Sequence, residues 1–289
     1  MSTSNQISAF WKSCWQSWRR RWAYALISLT IATGLIVATP HPGYAQNSLL
    51  ELLLRGVQII QLSTISDQQE VSLGKQINDQ LLSGDMRLSN DRRTTAYVNE
   101  VGQALVPYSS RPNIPYTFQV VQSDQINAFA TMGGYVYVTT GLLKAADNEA
   151  QLASVIGHEI GHIASKHALE QMRQMALAQG AASLAGLDRN TAVNLGVELA
   201  LRRPNSRRDE FEADQEGLET LQAAGYAPGA MPAFMEKLQS QASLPSFLST
   251  HPAVSERIQV LNQAIDPATA NSGFGLDSRA YRAEISALP

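Results

Sequence analysis

Apolar residues recur at helical spacing in residues 67–84 and 91–106, which predicts two amphipathic helices. After a stretch punctuated by prolines, residues 116–121 and 135–139 alternate between apolar and polar side chains, as β-strands with one buried face do. A helical pattern resumes beyond them. The chain is therefore predicted to be α+β and mostly helical, with a small antiparallel sheet flanked by helices.

A third helix is predicted from Glu149, because good helix formers with apolar residues at helical spacing follow it. Asn148 and Gln151 have the spacing of a capping box, which predicts where this helix begins. Gly157 and Gly161 share one face of the helix and lower its intrinsic propensity. Their expected use is close approach of another helix or of substrate.

The same helix contains the sequence His158-Glu159-Ile160-Gly161-His162. A four-residue step returns a helical side chain to nearly the same face, so both imidazoles can bind one metal ion. Glu159 is then turned slightly aside, near a water that a bound Zn²⁺ would make acidic. The alternative is an amphipathic helix with incidental surface histidines. His167 also lies on this predicted helix, about half a turn away from His158, so it should face elsewhere and is expected to be a solvent or packing residue.

Two imidazoles leave a catalytic zinc site one protein ligand short, and residues 206–217 offer a candidate. Glu210, Asp214 and Gly217 fall at positions i, i+4 and i+7, on one helical face. Glu210 suits direct ligation, while Asp214 suits accepting a hydrogen bond from the far nitrogen of a ligating histidine. Gly217 would let this helix pack closely against the one that carries the two histidines. The alternative is a solvated, charged helix end.

These segments resemble the CAAX-prenyl-protease-type zinc metallopeptidases, a gluzincin family. The resemblance extends from about Glu70 to about Ile265. Within the family, the chain is similar to the soluble periplasmic peptidases of outer-membrane quality control, without their repeat domain. Besides the two metal-site segments, the matching motifs are Tyr97-Val98-Asn99-Glu100-Val101-Gly102, Asn127-Ala128-Phe129-Ala130 with Gly133-Gly134, Gly141-Leu142-Leu143 and Thr250-His251-Pro252.

The resemblance implies a metallopeptidase domain in which a strand edge beside the zinc binds the substrate backbone as an added strand. The residues implied to border that cleft are Asn127, Ala128, Gly134, Tyr135 and Val136. The alternative is a structural hairpin with no substrate role.

His251, beside Pro252, is the last candidate for the site. It is expected either to be a fourth zinc ligand that blocks the water or to stabilise the oxyanion during turnover. The alternative is an exposed loop histidine. Arg257, one turn into the following helix, is a candidate for orienting His251 or for stabilising charge.

Residues 168–203 lie where membrane members of the family have spanning helices. Charged residues interrupt this Ala- and Leu-rich segment, so a membrane span is not expected. Two interpretations remain, a helical lid or packing arm over the cleft and plain core helices. The interrupting residues are Glu170, Arg173, Asp188, Arg189 and Glu198.

The first 45 residues have the layout of a signal peptide. Three arginines at 19–21 precede a mostly apolar run, residues 22–38, and a small-residue cleavage site ends at Ala45. An uncleaved anchor formed by residues 22–38 is the alternative. Both place the rest of the protein outside the cytoplasm, in the periplasm or cell envelope. Beyond the signal, we expect a linker or helix over residues 46–66, a zinc metallopeptidase domain over 67–265 and a helical tail over 266–289.

Composition narrows the function further. The net charge of −3 does not indicate binding to nucleic acid. The only cysteine, Cys14, lies in the targeting segment, so no disulfide is expected in the exported protein. The metal-site motifs and the family resemblance together predict a zinc metalloendopeptidase with one catalytic Zn²⁺, in which Glu159 moves protons. The resemblance implies that its partners are unfolded or misassembled envelope proteins, with peripheral membrane association left open. The alternative function is a chaperone-like or scaffolding module with a latent or structural zinc site.

Overall fold

The computed structural model describes residues 59–60, 64–84, 86–178, 187–202, 205–241 and 243–288. The predicted signal peptide or anchor, residues 1–45, and most of the predicted linker, 46–66, lie outside them. The helices are α1 (Asp67–Ser83), α2 (Arg92–Leu105), α3 (Thr140–Ala145), α4 (Glu149–Ala164), α5 (His167–Ala178), α6 (Arg189–Arg202), α7 (Arg207–Ala223), α8 (Ala230–Gln239), α9 (Ser246–Thr250), α10 (Val254–Ala264) and α11 (Ser278–Glu284). The strands are β1 (Ile59–Ile60), β2 (Thr117–Val121), β3 (Ala128–Thr131), β4 (Tyr135–Thr139) and β5 (Leu187–Asp188).

The first two helices lie where the apolar pattern predicts them. Ser66 caps α1 by accepting a hydrogen bond from the Gln69 backbone, and the Gln69 side chain accepts one from the Ser66 backbone. Asp91 caps α2 through the backbone N–H of Arg93. Among the residues described, no helix is long and apolar enough to cross a membrane.

The three-stranded sheet has the order β2–β4–β3. β4 pairs antiparallel with β3 but parallel with β2, so the prediction of an all-antiparallel sheet is wrong for one pair. The chain reverses between β2 and β3 and again between β3 and β4, so β4 has the direction of β2 and is inserted beside it. β3 is left at the edge of the sheet, next to the metal-site helices.

Helices α4 and α7 cross with their backbones in contact. A Cβ on Gly161 would lie 2.7 Å from the carbonyl oxygen of Ala213, and one on Gly217 would lie 2.9 Å from the backbone nitrogen of His158. Only glycine allows this approach. The predicted close packing of the two helices is confirmed, and it brings Glu210 of α7 to the two histidines of α4.

The sheet separates two hydrophobic clusters. One includes α2, α4 and the helices after α7, and the other includes α1, α5 and α6. Residues 168–203 therefore contribute core side chains, of which Leu169 and Met172 are fully buried. Leu169 and Leu199 also line the cavity beside the metal site. Both interpretations of this segment hold in part, because the core helices α5 and α6 also form a wall of the cleft.

The predicted tail contains α11, whose Tyr281 and Ile285 are buried in the first cluster. Just before it, the carbonyl of Gly275 accepts a hydrogen bond from the backbone N–H of Ala150, at the start of α4. The segment therefore packs against the end of α4 that lies opposite the metal site.

Candidate metal centre

Four buried side chains direct donor atoms at one point. His158, His162, Glu210 and His251 each offer one atom, and these atoms all lie within 4.8 Å of one another. The Nε2 atoms of His158 and His162 are 3.1 Å apart. Oε1 of Glu210 lies 3.2 Å from Nε2 of His162 and 3.0 Å from Nδ1 of His251. The structure thus brings together the three predicted ligands and His251.

Asp214 and Arg257 bind side chains of this cluster but are not among the converging donors. Asp214 Oδ1 lies 2.9 Å from His158 Nδ1, in the predicted position for fixing that imidazole. Arg257 is fully buried and donates from Nε and Nη2 to the two carboxylate oxygens of Asp214, at 2.6 and 2.7 Å. Its Nη1 lies 2.5 Å from Oε2 of Glu210. Arg257 also donates to the carbonyl of His251 over 3.3 Å, so one guanidinium joins α10 to both metal-site carboxylates.

Glu159 differs from every other carboxylate at the site. It is 0% exposed, and neither oxygen has a hydrogen-bond partner among the described residues. Nε2 of the His251 imidazole lies 3.5 Å from Oε1 of Glu159. An unpaired, buried carboxylate is costly, and such costs persist at sites where the group has a chemical role.

His167 is buried, so it is not a solvent residue, and it faces His162 rather than pointing elsewhere as the sequence predicts. α4 ends at Ala164, and Lys166 takes the left-handed backbone conformation with φ 58°, so His167 begins α5 in a new direction. Its Nδ1 lies 2.9 Å from Nδ1 of His162, and it is buried. The expectation failed because it assumed one continuous helix. Lysine at a left-handed position gives no sequence signal for the break.

Burial and charge set the ionisation of the cluster. Burial lowers the pKa of His162 to about 4 and also lowers the pKa of His158. Both imidazoles are therefore neutral near pH 7 and have lone pairs to offer. Burial raises the pKa of Glu159. Burial alone would raise the pKa of Glu210, but the neighbouring imidazoles of His251, His162 and His158 hold it well below its usual range.

A cavity of about 830 Å³ opens from the site between the sheet edge and helices α5 and α6. Glu159, His162 and His251 form its inner end, and Asn127 and Ala130 of the β3 segment line one side. The cleft thus extends from the candidate metal centre along the free edge of β3.

Of the five predicted substrate residues, only Asn127 lines this cleft, and four do not. Gly134 immediately precedes β4, and Tyr135 and Val136 lie within it, in the central strand whose two edges pair with β2 and β3. They cannot accept an added strand, so that part of the prediction is wrong. Ala128 lies in the edge strand, but its side chain is fully buried, and only its backbone is available.

Asn205 and Gln171 also reach the site, although no motif includes them. Asn205 Nδ2 lies 3.3 Å from both His162 Nε2 and His251 Nδ1, and Gln171 Nε2 lies 2.9 Å from Asn205 Oδ1. Asn205 directly precedes the N-cap Ser206 of α7. A polar residue before a metal-site helix is the only sequence signal for it, and a weak one. Gln171 has none.

The donor set fits a metal ion. Since Nδ1–H of His158 faces the carboxylate of Asp214, Nε2 has only a lone pair, and that lone pair points into the cluster. Three imidazoles and one carboxylate are nitrogen and oxygen ligands that Zn²⁺ accepts in tetrahedral sites. Two histidines one turn apart, a carboxylate from a second helix and an unpaired glutamate between the histidines define a metallopeptidase of the HExxH class.

Comparison with known proteins identifies the family. Peptidase family M48 matches residues 92–265, and the chain belongs to this family. The beta-barrel assembly-enhancing protease of Escherichia coli (strain K12) is 36% identical over 214 residues, which cover 68% of this chain and 44% of the relative. The mitochondrial metalloendopeptidase OMA1 of Arabidopsis thaliana is 38% identical over 154 residues, covering 52% of this chain and 32% of the relative. The chain thus matches less than half the length of either protein. The predicted family is confirmed, and within it the chain is similar to the beta-barrel assembly-enhancing proteases.

Proposed function

We propose that this protein is a zinc-dependent endopeptidase that cleaves polypeptides in the cleft beside β3. The observation that carries the proposal is the unpaired, fully buried Glu159 next to four converging donors. A structural metal site needs no such carboxylate, so nothing supports the alternative of a scaffold with a latent or structural zinc.

His158, His162 and Glu210 are the proposed ligands. Zn²⁺ bound there would polarise a carbonyl and lower the pKa of a water molecule. Asp214 keeps His158 in the tautomer whose Nε2 lone pair faces the cluster, at the 2.9 Å contact to Nδ1. Arg257 orients Asp214 and Glu210 together and compensates their charge.

Glu159 is the proposed general base and then general acid. It takes a proton from the attacking water as the water oxygen bonds to the scissile carbonyl carbon. It then passes that proton to the amide nitrogen as the C–N bond breaks, so that a carboxylate and an amine leave. Burial favours its neutral form and raises its pKa, which suits a group that must hold a proton between two steps.

His251 is proposed to be a fourth donor in the resting state. Its Nδ1 lies 3.2 Å from His158 Nε2, as close as the proposed ligands lie to one another. A fourth protein donor leaves no open position for water. Replacement by alanine should raise turnover if His251 blocks the site, whereas a fall in turnover at unchanged zinc content would assign it the oxyanion role instead.

The free edge of β3 is the proposed substrate-binding strand. The backbone N–H of Thr139 bonds the carbonyl of Asn127, and antiparallel pairs alternate, so the backbone groups of Ala128 and Ala130 face away from β4. The carbonyl of Ile126 faces the same way and accepts a hydrogen bond from Phe247. An extended substrate would add to this edge at Ala130, which lines the cavity.

We further propose that the clients are misfolded or misassembled envelope proteins and that the protein acts in the periplasm or cell envelope. The support is the signal-like sequence over residues 1–45 and the similarity to the beta-barrel assembly-enhancing proteases. Crosslinked Glu159→Gln protein should capture envelope proteins. Amino-terminal sequencing tests the export step, because a start at Gln46 excludes a retained anchor over residues 22–38.

The enzymatic proposal is tested with a purified, unfolded protein such as casein. Wild-type protein should degrade it, a chelator should stop the reaction, and zinc should restore it. Glu159→Gln keeps the size of the side chain but removes the base, so it should abolish cleavage. Cleavage by Glu159→Gln at the wild-type rate would reject the mechanism, and binding of clients without cleavage by wild type or His251→Ala would favour a scaffold.

A further inference from the structure

Asn205 is held at the mouth of the metal centre by both its backbone and its side chain. Its backbone N–H donates to the carbonyl of Thr250 over 3.0 Å, in the segment that carries His251. Its partly buried side chain lines the inner part of the 830 Å³ cavity, together with Glu159.

Gln171 of α5 determines which end of the Asn205 amide faces the centre. Gln171 Nε2 lies 3.4 Å from a carboxylate oxygen of Asp209 and 2.9 Å from Oδ1 of Asn205. An ionised carboxylate only accepts hydrogen bonds, so the NH₂ end of Gln171 faces Asp209, and its second N–H donates to Asn205 Oδ1. The NH₂ end of Asn205 is therefore directed at the metal centre.

The only acceptors near that NH₂ group among the described residues are two histidine nitrogens. Nδ2 lies 3.3 Å from Nε2 of His162 and 3.3 Å from Nδ1 of His251, and both nitrogens belong to the converging donor set. A lone pair that coordinates a metal is not available to accept a hydrogen bond. In the loaded site, the Asn205 N–H group loses these acceptors while Gln171 still holds it in place. An oxygen atom of a bound substrate would supply an acceptor in their place.

We infer that Asn205 is a further catalytic residue, which donates a hydrogen bond to the scissile carbonyl oxygen, and that Gln171 is its positioning residue. The inference rests on the proposed peptidase function. Attack of water makes that oxygen negative, so a fixed amide donor stabilises the transition state more than the ground state. Asn205 transfers no proton. The proton of the water still passes through Glu159.

The test uses Asn205→Ala, Asn205→Asp and Gln171→Leu, with Asn194→Ala and Gln174→Leu as matched controls at exposed positions on α6 and α5. Cleavage of a fluorogenic peptide gives kcat and KM for each zinc-loaded protein. Asn205→Ala should lower kcat about 10²- to 10³-fold with little change in KM, as loss of one oxyanion donor does. Asn205→Asp should lose at least as much, because its carboxylate repels the developing charge. Gln171→Leu should lose about 10-fold or more, the loss typical of removing a positioning partner.

A second measurement tests the hydrogen bond from Asn205 in protein that does not turn over substrate. A peptide phosphonate copies the tetrahedral, negatively charged transition state, and its binding is measured in the inactive Glu159→Gln background. Asn205→Ala should weaken phosphonate binding by a factor similar to its loss in kcat, while zinc affinity and the urea midpoint stay at the values of the controls.

Two results would overturn the inference. One is unchanged kcat and phosphonate affinity in Asn205→Ala. The other is a loss that follows zinc loss or unfolding, which would make Asn205 a structural residue. Failure of the proposed function looks different, because wild-type protein would then not cleave the peptide at all.

Discussion

Gly161→Ala tests whether the crossing of α4 and α7 sets the geometry of the metal site. The new Cβ would lie 2.7 Å from the backbone oxygen of Ala213, whereas ordinary contact begins at 3.4 Å. The obstacle is backbone, so no side chain can rotate aside, and the two helices must separate by about 0.7 Å. Because α7 carries Glu210 and α4 carries His158, the ligand atoms separate by a similar distance.

The stability and metal-binding effects should differ in size. Overpacking costs about 1–3 kcal/mol, while replacing glycine in a helix gains about 1 kcal/mol, so the metal-free protein should lose about 0–2 kcal/mol. Metal–ligand distances tolerate only about 0.2 Å, so the separation is too large for the site. Zinc affinity should fall about 10- to 100-fold, as it does when ligands are misoriented.

The assay is zinc affinity by competition with a coloured chelator, together with urea denaturation in EDTA. Gly84→Ala is the matched control, because a Cβ there meets no heavy atom nearer than 3.5 Å. Wild-type zinc affinity in a folded Gly161→Ala protein would refute the reasoning, since the helix crossing would then not control the ligand spacing.

Three further perturbations probe the surroundings of the site. Arg257→Met leaves two buried carboxylates without their shared cation and should cost about 3–5 kcal/mol in urea denaturation, with Arg257→Lys losing less because it keeps the charge. An equal loss in both would show that the positive charge alone does not stabilise the two carboxylates. Asp214→Asn keeps the shape of the side chain beside His158 but removes its charge, so zinc affinity measured by chelator competition should fall about 10- to 100-fold. Unchanged zinc affinity would show that Asp214 does not orient His158. Removing metal with EDTA should lower the thermal midpoint and adding zinc should restore it, because a ligand bound only to the folded state stabilises it; a midpoint indifferent to zinc would contradict a folded-state site.

Local patterns predicted the parts of the site that lie within one helix. The spacing in α4 and α7 placed His158 and His162 on one face and Glu210 with Asp214 on another, and the structure brings these faces together. The glycines at the crossing could be predicted because glycine lowers helix propensity, so two glycines on one helical face indicate close packing against a neighbour.

Features that depend on contacts between distant segments of the chain could not be predicted from local patterns. The parallel pairing of β2 with β4 depends on β3 lying at the edge of the sheet. The spacing of apolar residues along the sequence does not indicate that position. The burial of Arg257 depends on carboxylates some forty positions away, at Glu210 and Asp214. The turn at Lys166 redirects His167 towards His162 without a glycine to mark it.

The zinc content of purified Glu210→Gln and Glu159→Gln proteins tests the central claim most directly. Both changes replace a buried carboxylate by an amide of the same size, in the same cluster. If Glu210 binds the metal and Glu159 serves only as base, Glu159→Gln should retain one equivalent of zinc after dialysis, and Glu210→Gln should retain much less. A full equivalent in Glu210→Gln, or loss of zinc from Glu159→Gln, would contradict this assignment of the two carboxylates.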